Sequence, residues 1–201
     1  MSWSRGPRGY HHGNLKEALI RAALQLIAEK GPAGFTFADA ARWAGVSPAA
    51  PYRHFADKAQ LLAAVATLGF VQLHEALTAT AAKTTDLHAQ VIAIGRTYVR
   101  WAITHADYYQ VMFGSELDKS DNPELLAAGA RTFGDLLDAI VRCQRAKLLP
   151  AGNPRDVAGP IWALLHGVAT LAIGGDLKHV DIKESPLTLI ERALEAMLFS
   201  E

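Results

Sequence analysis

The sequence has only one cysteine, Cys143, so no disulfide can form within the chain. It also lacks, near its start, the basic and then apolar layout of a secretory signal. Both observations favour a reducing compartment, and we expect a cytoplasmic protein. No series of alternating, β-branched segments typical of strands is found either, which argues against a fold rich in sheets.

Motifs for catalysis and metal binding are missing as well. The sequence has no Ser-His-acid grouping at motif spacing, no HExxH and no glycine-rich phosphate loop after a strand. A metal sensor could use His74, His88, His105 and His179, but their spacing does not indicate a joint site. We therefore expect no catalytic residue, no metal and no cofactor. An all-helical enzyme or a metal sensor is the weaker alternative.

The chain has no net charge of either sign, since 20 basic residues balance 20 acidic ones. The charges are unevenly distributed, because residues 1–58 contain eight basic and four acidic side chains. A basic end suits DNA, since neutralised phosphates supply most of the sequence-independent affinity, although chance could produce the same asymmetry. The basic segment 5–13 could be an arm that reaches DNA, and a solvated tail is the interpretation we favour.

Half of the residues are apolar, and they recur at helical spacing, as Leu15, Leu19, Ala22 and Leu26 do. Helix starts combine a capping side chain with a following proline, or with an acid or amide three residues later. These starts are Ser47-Pro48, Asn122-Pro123, Asn153-Pro154, Ser185-Pro186, Asn14, Thr36 and Asp57. The patterns predict an all-α chain of about nine helices. Besides a first helix that ends at Gly31 and a short pair near residue 45, we expect helices at about 58–80, 87–105, 107–113, 123–147, 154–174 and 186–199.

Residues 36–55, TFADAARWAGVSPAAPYRHF, have the layout of a helix-turn-helix. A short helix at 37–44 meets Gly45, which permits a turn with positive φ, and Val46 can fill the angle between two helices. Ser47 and Pro48 then begin a second short helix. In such a pair the first helix braces against the DNA backbone, while the second enters the major groove with its N-terminal residues at the base edges. A helical hairpin that merely packs is the alternative.

From about Tyr10 through Leu62 the sequence resembles the TetR family of regulators. The resemblance rests on the capped first helix, the Ala-Gly-Val-Ser turn, the run from Tyr52 to Phe55, and Asp57-Lys58 at the start of the next helix. It implies an N-terminal three-helix domain with a helix-turn-helix that binds DNA, over residues 1–58. It also implies a larger helical domain for ligand binding and dimerisation, over residues 59–201.

The resemblance implies roles for individual residues in DNA binding. Thr36 and Lys58 are expected to hold phosphates, and Tyr52 and His54 to contact the backbone or thymine methyl groups. Ala49, Ala50 and Arg53 are the candidates for base contact, and only Arg53 can make the bidentate bond to guanine that discriminates well. The whole predicted DNA-binding set is Thr36, Ser47, Ala49, Ala50, Tyr52, Arg53, His54 and Lys58.

Two further residues of this segment have structural interpretations. Phe55 is expected to pack against the helices before and after it rather than to touch DNA. Pro51 departs from the family's pattern, which more often has an aliphatic residue at this position. Because proline has no N–H, it removes the first helical hydrogen bond, to the Ser47 carbonyl. We therefore expect the second helix to begin in a loosened or tighter turn.

The 19 residues 157–175 contain no charge. Their number is close to the roughly 20 residues of a membrane span, but Pro160, His166, four glycines and the lack of flanking aromatic residues argue against one. We expect a helix buried in a core or between subunits.

Specific binding through one short recognition helix requires two copies related by a two-fold axis, and hence a palindromic operator. We expect a homodimer through the last two helices. In the first of them Gly159, Ala163 and Gly167 allow close approach, and in the last Leu187, Ile190, Leu194 and Met197 recur at helical spacing. Packing within the chain is the alternative for each of these side chains.

The run Trp162-Ala-Leu-Leu-His166-Gly167 resembles the Trp-His-Gly signature of one TetR subgroup, as do residues 105–109 and Met112-Phe113. Membership implies a small-molecule effector, and an apolar pocket with few polar groups suits a small hydrophobic or aromatic one. The candidate ligand-binding residues are Tyr98, Trp101, Tyr108, Met112, Phe113, Phe133, Trp162 and His166. Ordinary core packing is the alternative for these, including a buried and satisfied histidine at position 166.

The expected function is that of a sequence-specific regulator, and the resemblance implies a repressor that an effector releases from its operator. A nucleic-acid-binding protein without sequence preference is the alternative. It would keep its affinity on random DNA and show a steep salt dependence.

Overall fold

The computed structural model describes residues 15–120 and 122–199, and all regular secondary structure in them is helical. The described chain forms nine α-helices and one 3₁₀ helix, which confirms the all-α class. The helices are α1 (Leu15–Lys30), α2 (Phe37–Trp43), the 3₁₀ helix (Pro51–Arg53), α3 (Lys58–Lys83), α4 (Leu87–Thr104), α5 (Ala106–Phe113), α6 (Pro123–Arg145), α7 (Pro154–Gly174), α8 (Asp176–His179) and α9 (Pro186–Leu198).

The predicted helix caps explain most of these starts. Asn122 accepts a hydrogen bond from the Leu125 amide at 2.9 Å, and Ser185 accepts one from the Thr188 amide at 3.1 Å. Asn153 caps α7 in the same way. Each cap satisfies an amide that has no partner inside its own helix. The predicted cap Asn14 and the basic segment 5–13 lie outside the described residues.

The second helix of the helix-turn-helix differs from the prediction. Residues 48–50 form a turn, and only Pro51–Arg53 form a helix, of the 3₁₀ type. The amides of Ala50, Arg53 and His54 each bond to the carbonyl three residues earlier, at 2.9 to 3.2 Å. Pro51 cannot donate to Ser47, so the chain takes the tighter spacing there. The expected distortion by Pro51 is therefore present, but it extends over the whole segment.

Contacts divide the chain into two compact units. The first contains the residues up to 69 and the segment 107–126, and the second contains 70–106 and the residues from 127 onward. The helix α3 contributes residues to both units. The segment that carries Tyr108, Met112 and Phe113 thus belongs to the same unit as the helix-turn-helix, which the sequence did not indicate. The predicted boundary after residue 58 separates a DNA-binding domain from a domain for ligand binding and dimerisation. That division of roles stays a prediction.

Each unit has its own apolar core. In the first unit α1 packs on α2, and Leu19 and Ala22 are fully buried. In the second unit α4 packs on both α7 and α9. Gly95 of α4 lies so close to Leu194 that a Cβ atom would collide with the leucine side chain. Ile190 and Leu194, which were predicted for a dimer face, are therefore core residues of their own chain.

By length and composition alone, α3 and α7 could each span a membrane. A core helix of a water-soluble protein meets the same criteria, so this finding does not distinguish the two cases. The helices differ in their environment: half of the apolar stretch of α3 is buried, but only 28% of that of α7. The apolar surface of α7 is thus largely uncovered within the chain.

A buried amide holds three elements of the second unit together. The Gln90 side chain is 7% exposed, and its amide donates to the carbonyls of Ala81 and Thr84 at 2.7 and 2.8 Å. Its carbonyl oxygen accepts a hydrogen bond from Arg142 at 2.7 Å. The amide thus connects the end of α3, the start of α4 and the end of α6.

We expect Gln90→Leu to lower the free energy of unfolding by about 2–3 kcal/mol, because it leaves buried polar partners without a bond. Urea denaturation measures this loss. A matched control is Gln25→Leu in α1, where the amide bonds to Glu29 on an exposed helix face. This change should alter stability by no more than about 0.5 kcal/mol. Equal effects of the two substitutions would contradict the interpretation.

Candidate nucleic-acid interface

The start of α2 is fixed by the predicted capping box. The Thr36 hydroxyl accepts a bond from the Asp39 amide at 3.1 Å and donates to the Asp39 carboxylate at 2.7 Å. The carboxylate also accepts the Thr36 amide at 2.8 Å. These bonds from Thr36 stabilise the ionised form and lower the pKa of Asp39. The Thr36 hydroxyl, predicted to hold a phosphate, is thus engaged in the cap, although the residue is exposed.

The end of α2 forms the predicted turn. Gly45 has a φ of +73°, which a residue without a side chain adopts at low cost. Its amide bonds to the Arg42 carbonyl at 3.1 Å, and the Val46 amide bonds to the Ala41 carbonyl at 3.0 Å. This pair of bonds is the Schellman motif, and it satisfies the last carbonyls of the helix. The chain leaves α2 in a fixed direction into the segment that follows.

Residues 47–55, which we call the recognition segment, are anchored at two points. Pro51 is buried, and Phe55 is 4% exposed, as expected for a residue that packs. The Lys16 ammonium of α1 lies 6.0 Å from the centre of the Phe55 ring. Between and before these anchors most of the side chains are exposed.

The structure exposes most of the predicted DNA-binding residues of the recognition segment. Ser47, Ala49, Tyr52, Arg53 and His54 are exposed, and Ala50 is half-buried. Tyr52 is 62% exposed, and the edge of its ring lies against Phe37, with ring centres 5.1 Å apart. Sequence reasoning missed this contact. The only available signal was an aromatic residue in the first turn of α2.

Lys58 takes a different position from the other residues of the predicted set. It is the first residue of α3, and its ammonium donates to the Phe35 carbonyl at 2.7 Å. The same nitrogen lies 4.3 Å from the centre of the Phe35 ring. Burial lowers the pKa of Lys58, and the carboxylates of Glu116 and Asp39 oppose this effect. The ammonium therefore faces the linker between α1 and α2.

Four of the predicted ligand-binding residues come together in the second unit, and we call them the aromatic cluster: Tyr98, Phe133, Trp162 and His166. The rings of Phe133 and Trp162 meet edge to face with centres 5.9 Å apart, and those of Trp162 and His166 do so at 4.7 Å. The Tyr98 hydroxyl lies 3.2 Å from His166 Nε2. Trp162 is 44% exposed, while Tyr98 is buried.

The other predicted ligand-binding residues have contacts of their own. Trp101 stacks on His105, with ring centres 4.7 Å apart. Tyr108, Met112 and Phe113 belong to α5 in the first unit. Met112 is fully buried there and lies against Gly69 of α3. A surface groove of about 430 Å³ is lined by residues between Ala172 and Pro186, and none of the predicted ligand-binding residues lines it.

The four histidines considered for a metal sensor have separate environments. Nδ1 of His74 lies 2.7 Å from Asp135, and Nε2 of His88 lies 2.7 Å from Glu195. His105 stacks on Trp101, and His179 lies next to Asp176. In the part of the chain that the structure describes, no three potential metal ligands come together.

Two family models match the chain. Residues 19–65 match the model of bacterial regulatory proteins of the tetR family. Residues 91–197 match the tetracyclin repressor-like C-terminal domain. The HTH-type transcriptional regulator BetI of Rhizobium meliloti (strain 1021) is 45% identical over 49 residues, which are 24% of each protein. The chain therefore matches only about a quarter of the length of that curated relative.

Solved structures show the same fold along nearly the whole chain. A protein of unknown function from Rhodococcus sp. RHA1 superposes with a TM-score of 0.83 at 28% identity, over 96% of this chain and 97% of that one. The fatty acid degradation regulator FadR of Bacillus halodurans has a TM-score of 0.75 at 16% identity, over 94% and 97%. The TetR-family regulator PfmR of Thermus thermophilus has a TM-score of 0.72 at 16% identity, over 91% and 99%.

The C-terminal model covers more than half of the chain, the N-terminal model covers the segment around α2, and both describe one family. Members of this family are transcriptional regulators that bind DNA and small-molecule effectors, typically as dimers. The chain belongs to the TetR family of transcriptional regulators, and its helix-turn-helix is the DNA-binding element of that family.

Proposed function

We propose that this regulator is a cytoplasmic repressor that binds a palindromic operator as a homodimer and leaves it when a small hydrophobic or aromatic effector binds. The observation that carries the proposal is the outward orientation of the recognition segment, in which Tyr52, Arg53 and His54 are exposed while Pro51 and Phe55 anchor the backbone. Such an exposed edge on an anchored backbone suits the major groove.

The exposed side chains divide into two kinds of DNA contact. Ser47, Tyr52 and His54 offer hydroxyl and imidazole groups that suit phosphates or thymine methyl groups, and these position the protein. Arg53 can bond to both guanine acceptors in the major groove and would supply most of the discrimination. Ala49 and Ala50 are small enough to let the backbone approach the bases. In this proposal the first unit binds DNA, and residues 59–201 supply most of the effector and dimer contacts.

The dimer interface is proposed to include one uncovered face of α7. Exposed small or apolar residues occupy about 100° of the helix circumference, and we call them the open face of α7: Pro160, Ala163, Gly167, Thr170, Leu171 and Gly174. A Cβ atom at Gly167 would meet nothing within 4 Å, so a second helix has room to approach. Uncharged, uncovered surface of this kind is typical of an interface between subunits.

The helix α9 contributes less to this interface than its apolar spacing indicated. Ile190 and Leu194 pack within the chain, whereas Met197 is 46% exposed and Leu187 is half-buried. We propose that the open face of α7 and the exposed side of α9 meet their two-fold equivalents, as in a four-helix arrangement of last helices.

The aromatic cluster is the proposed effector site. Its partly exposed indole offers apolar area, and the buried Tyr98 hydroxyl beside the half-buried His166 imidazole offers an orienting polar group, which suits a small aromatic or hydrophobic molecule. We also propose membership in the Trp-His-Gly subgroup, because Trp162 and His166 carry its signature. An effector would act only through different affinities for two arrangements of α3, the helix that begins at Lys58 and contributes to both units.

Selection of bound sites from random duplex DNA tests the proposal. We expect one palindromic sequence, with half-sites about one helical turn apart, and a loss of binding to it when the true effector is added. Recovery of unrelated sequences with a steep salt dependence would instead indicate a nucleic-acid-binding protein without sequence preference. Equal affinity with and without an effector that binds the protein would contradict the release mechanism.

A further inference from the structure

Tyr52 of the recognition segment combines an anchored backbone with an exposed side chain. Pro51 before it is buried, and the Pro51 carbonyl accepts hydrogen bonds from the amides of His54 and Phe55 at 2.9 and 3.0 Å. The Tyr52 side chain itself is 62% exposed. An exposed tyrosine can take several staggered orientations, and its hydroxyl lies at a different place in each of them. The backbone alone therefore does not decide where this hydroxyl meets DNA.

Phe37 supplies a second constraint on Tyr52 from another element. The two rings meet edge to face, with their centres 5.1 Å apart and their planes at 88°. This is one of the geometries that aromatic pairs prefer, because the positive edge of one ring meets the negative face of the other. The contact joins the first turn of α2 to the 3₁₀ helix. It favours the orientation of Tyr52 that keeps the rings together over the other orientations.

The helix that carries Phe37 is itself held in place. Phe37 is the first residue of α2 and follows the N-cap Thr36, whose capping box with Asp39 fixes the helix start. One turn further on, Ala40 and Ala41 are fully buried, and α2 packs on α1. The Phe37 ring thus extends from an anchored helix. The exposed tyrosine is therefore aligned with α2 as well as with its own segment.

We propose that Phe37 is a positioning residue for DNA binding: its ring holds the Tyr52 side chain in the orientation in which the tyrosine meets DNA. Because the side chain is ordered before the complex forms, binding costs less conformational entropy. This inference rests on the proposed DNA-binding role of the recognition segment. It adds to that role a residue outside the segment, which acts through Tyr52.

The binding test is a double-mutant cycle of Phe37→Leu and Tyr52→Ala on a duplex that the wild-type protein selects from random DNA. Phe37→Leu keeps an apolar side chain but removes the ring, and we expect it to weaken binding about two- to tenfold for each half-site. In the Tyr52→Ala protein the same substitution should cause no further loss, because no tyrosine is left to orient. Phe37→Tyr keeps the ring and should bind as wild type does.

Three results of this cycle would overturn the inference. One is a loss from Phe37→Leu that is equal with and without Tyr52, since Phe37 would then act on DNA or on α2 directly. The second is a similar loss in Phe37→Tyr, because the ring alone carries the proposed role. The third is wild-type affinity of Phe37→Leu.

A nuclear magnetic resonance measurement on the free protein tests the ring contact without DNA. In protein with isotope-labelled tyrosine, comparison with Tyr52→Phe assigns the Tyr52 ring signals. We expect Overhauser effects between the rings of Tyr52 and Phe37, and a ring-current shift that Phe37→Leu removes. Absence of both signals would overturn the inference. If the wild-type protein selected no DNA sequence, the proposed function would fail and the inference with it, whereas the outcomes above overturn the inference alone.

Discussion

Substitution of Arg53 by alanine is expected to abolish most of the preference for the operator over random DNA without affecting the fold. Arg53 is exposed in the 3₁₀ turn of the recognition segment, so its removal leaves no cavity. A bidentate contact between arginine and guanine contributes about 1–3 kcal/mol of discrimination, so two half-sites lose about 2–6 kcal/mol. The ratio of the dissociation constants for the selected duplex and a random duplex, at one salt concentration, measures this loss.

Arg21→Ala is a matched control, because it removes the same positive charge without removing a candidate base contact. Arg21 lies on α1 in the same unit, and its exposed guanidinium pairs with Glu17 at 3.7 Å. We expect Arg21→Ala to retain the wild-type ratio of affinities. If Arg53→Ala retained it too, Arg53 would not read bases, and discrimination would have to come from DNA shape or from other residues.

Substitution of Gly167 by lysine is expected to dissociate the dimer. Gly167 lies in the middle of the open face of α7, and two lysines would meet near the two-fold axis of the proposed interface. An uncompensated buried charge costs about 3–5 kcal/mol, so the dimer dissociation constant should rise roughly a hundredfold or more. Sedimentation velocity over a range of concentrations measures the change. Operator affinity should fall in parallel, because a monomer contacts only one half-site.

The control for this substitution is Gly134→Lys in α6. Gly134 is also inside a helix of the second unit, and a Cβ atom there would meet nothing within 4 Å. Both substitutions replace glycine with a better helix former, so both proteins should retain their helical content. We expect Gly134→Lys to remain dimeric. A Gly167→Lys protein that stayed dimeric at low micromolar concentration would show that the open face of α7 is not the interface.

The sequence predicted the features that depend on neighbours a few residues apart. The capping box of Thr36 and Asp39 and the turn at Gly45 each involve residues within a turn or two of one another. The same holds for each end of α7 (Pro154–Gly174), because every end depends on the residues next to it. The sequence predicted that Pro51 distorts the helix start, because a missing N–H is a local property. The extent of the distortion was not predicted, since that depends on how the rest of the segment packs.

Contacts between distant residues were beyond sequence reasoning. Lys58 and Phe35 are 23 positions apart, and Tyr98 and His166 are 68 apart. Apolar spacing in α9 correctly indicated a helix with one apolar side. It could not show that Ile190 and Leu194 face their own chain, because the core of a subunit and an interface between subunits select the same residue types.

By itself, the order of amino acids determined the helical class, several helix starts, the turn that leads into the recognition segment and the family. These follow from backbone hydrogen bonding and side-chain periodicity, which act over a few residues. The tertiary structure alone decided that α5 belongs with the helix-turn-helix, that the Lys58 ammonium faces the linker and that one side of α7 stays uncovered. Burial and long-range pairing settle those outcomes, and both depend on which surfaces the folded chain brings together.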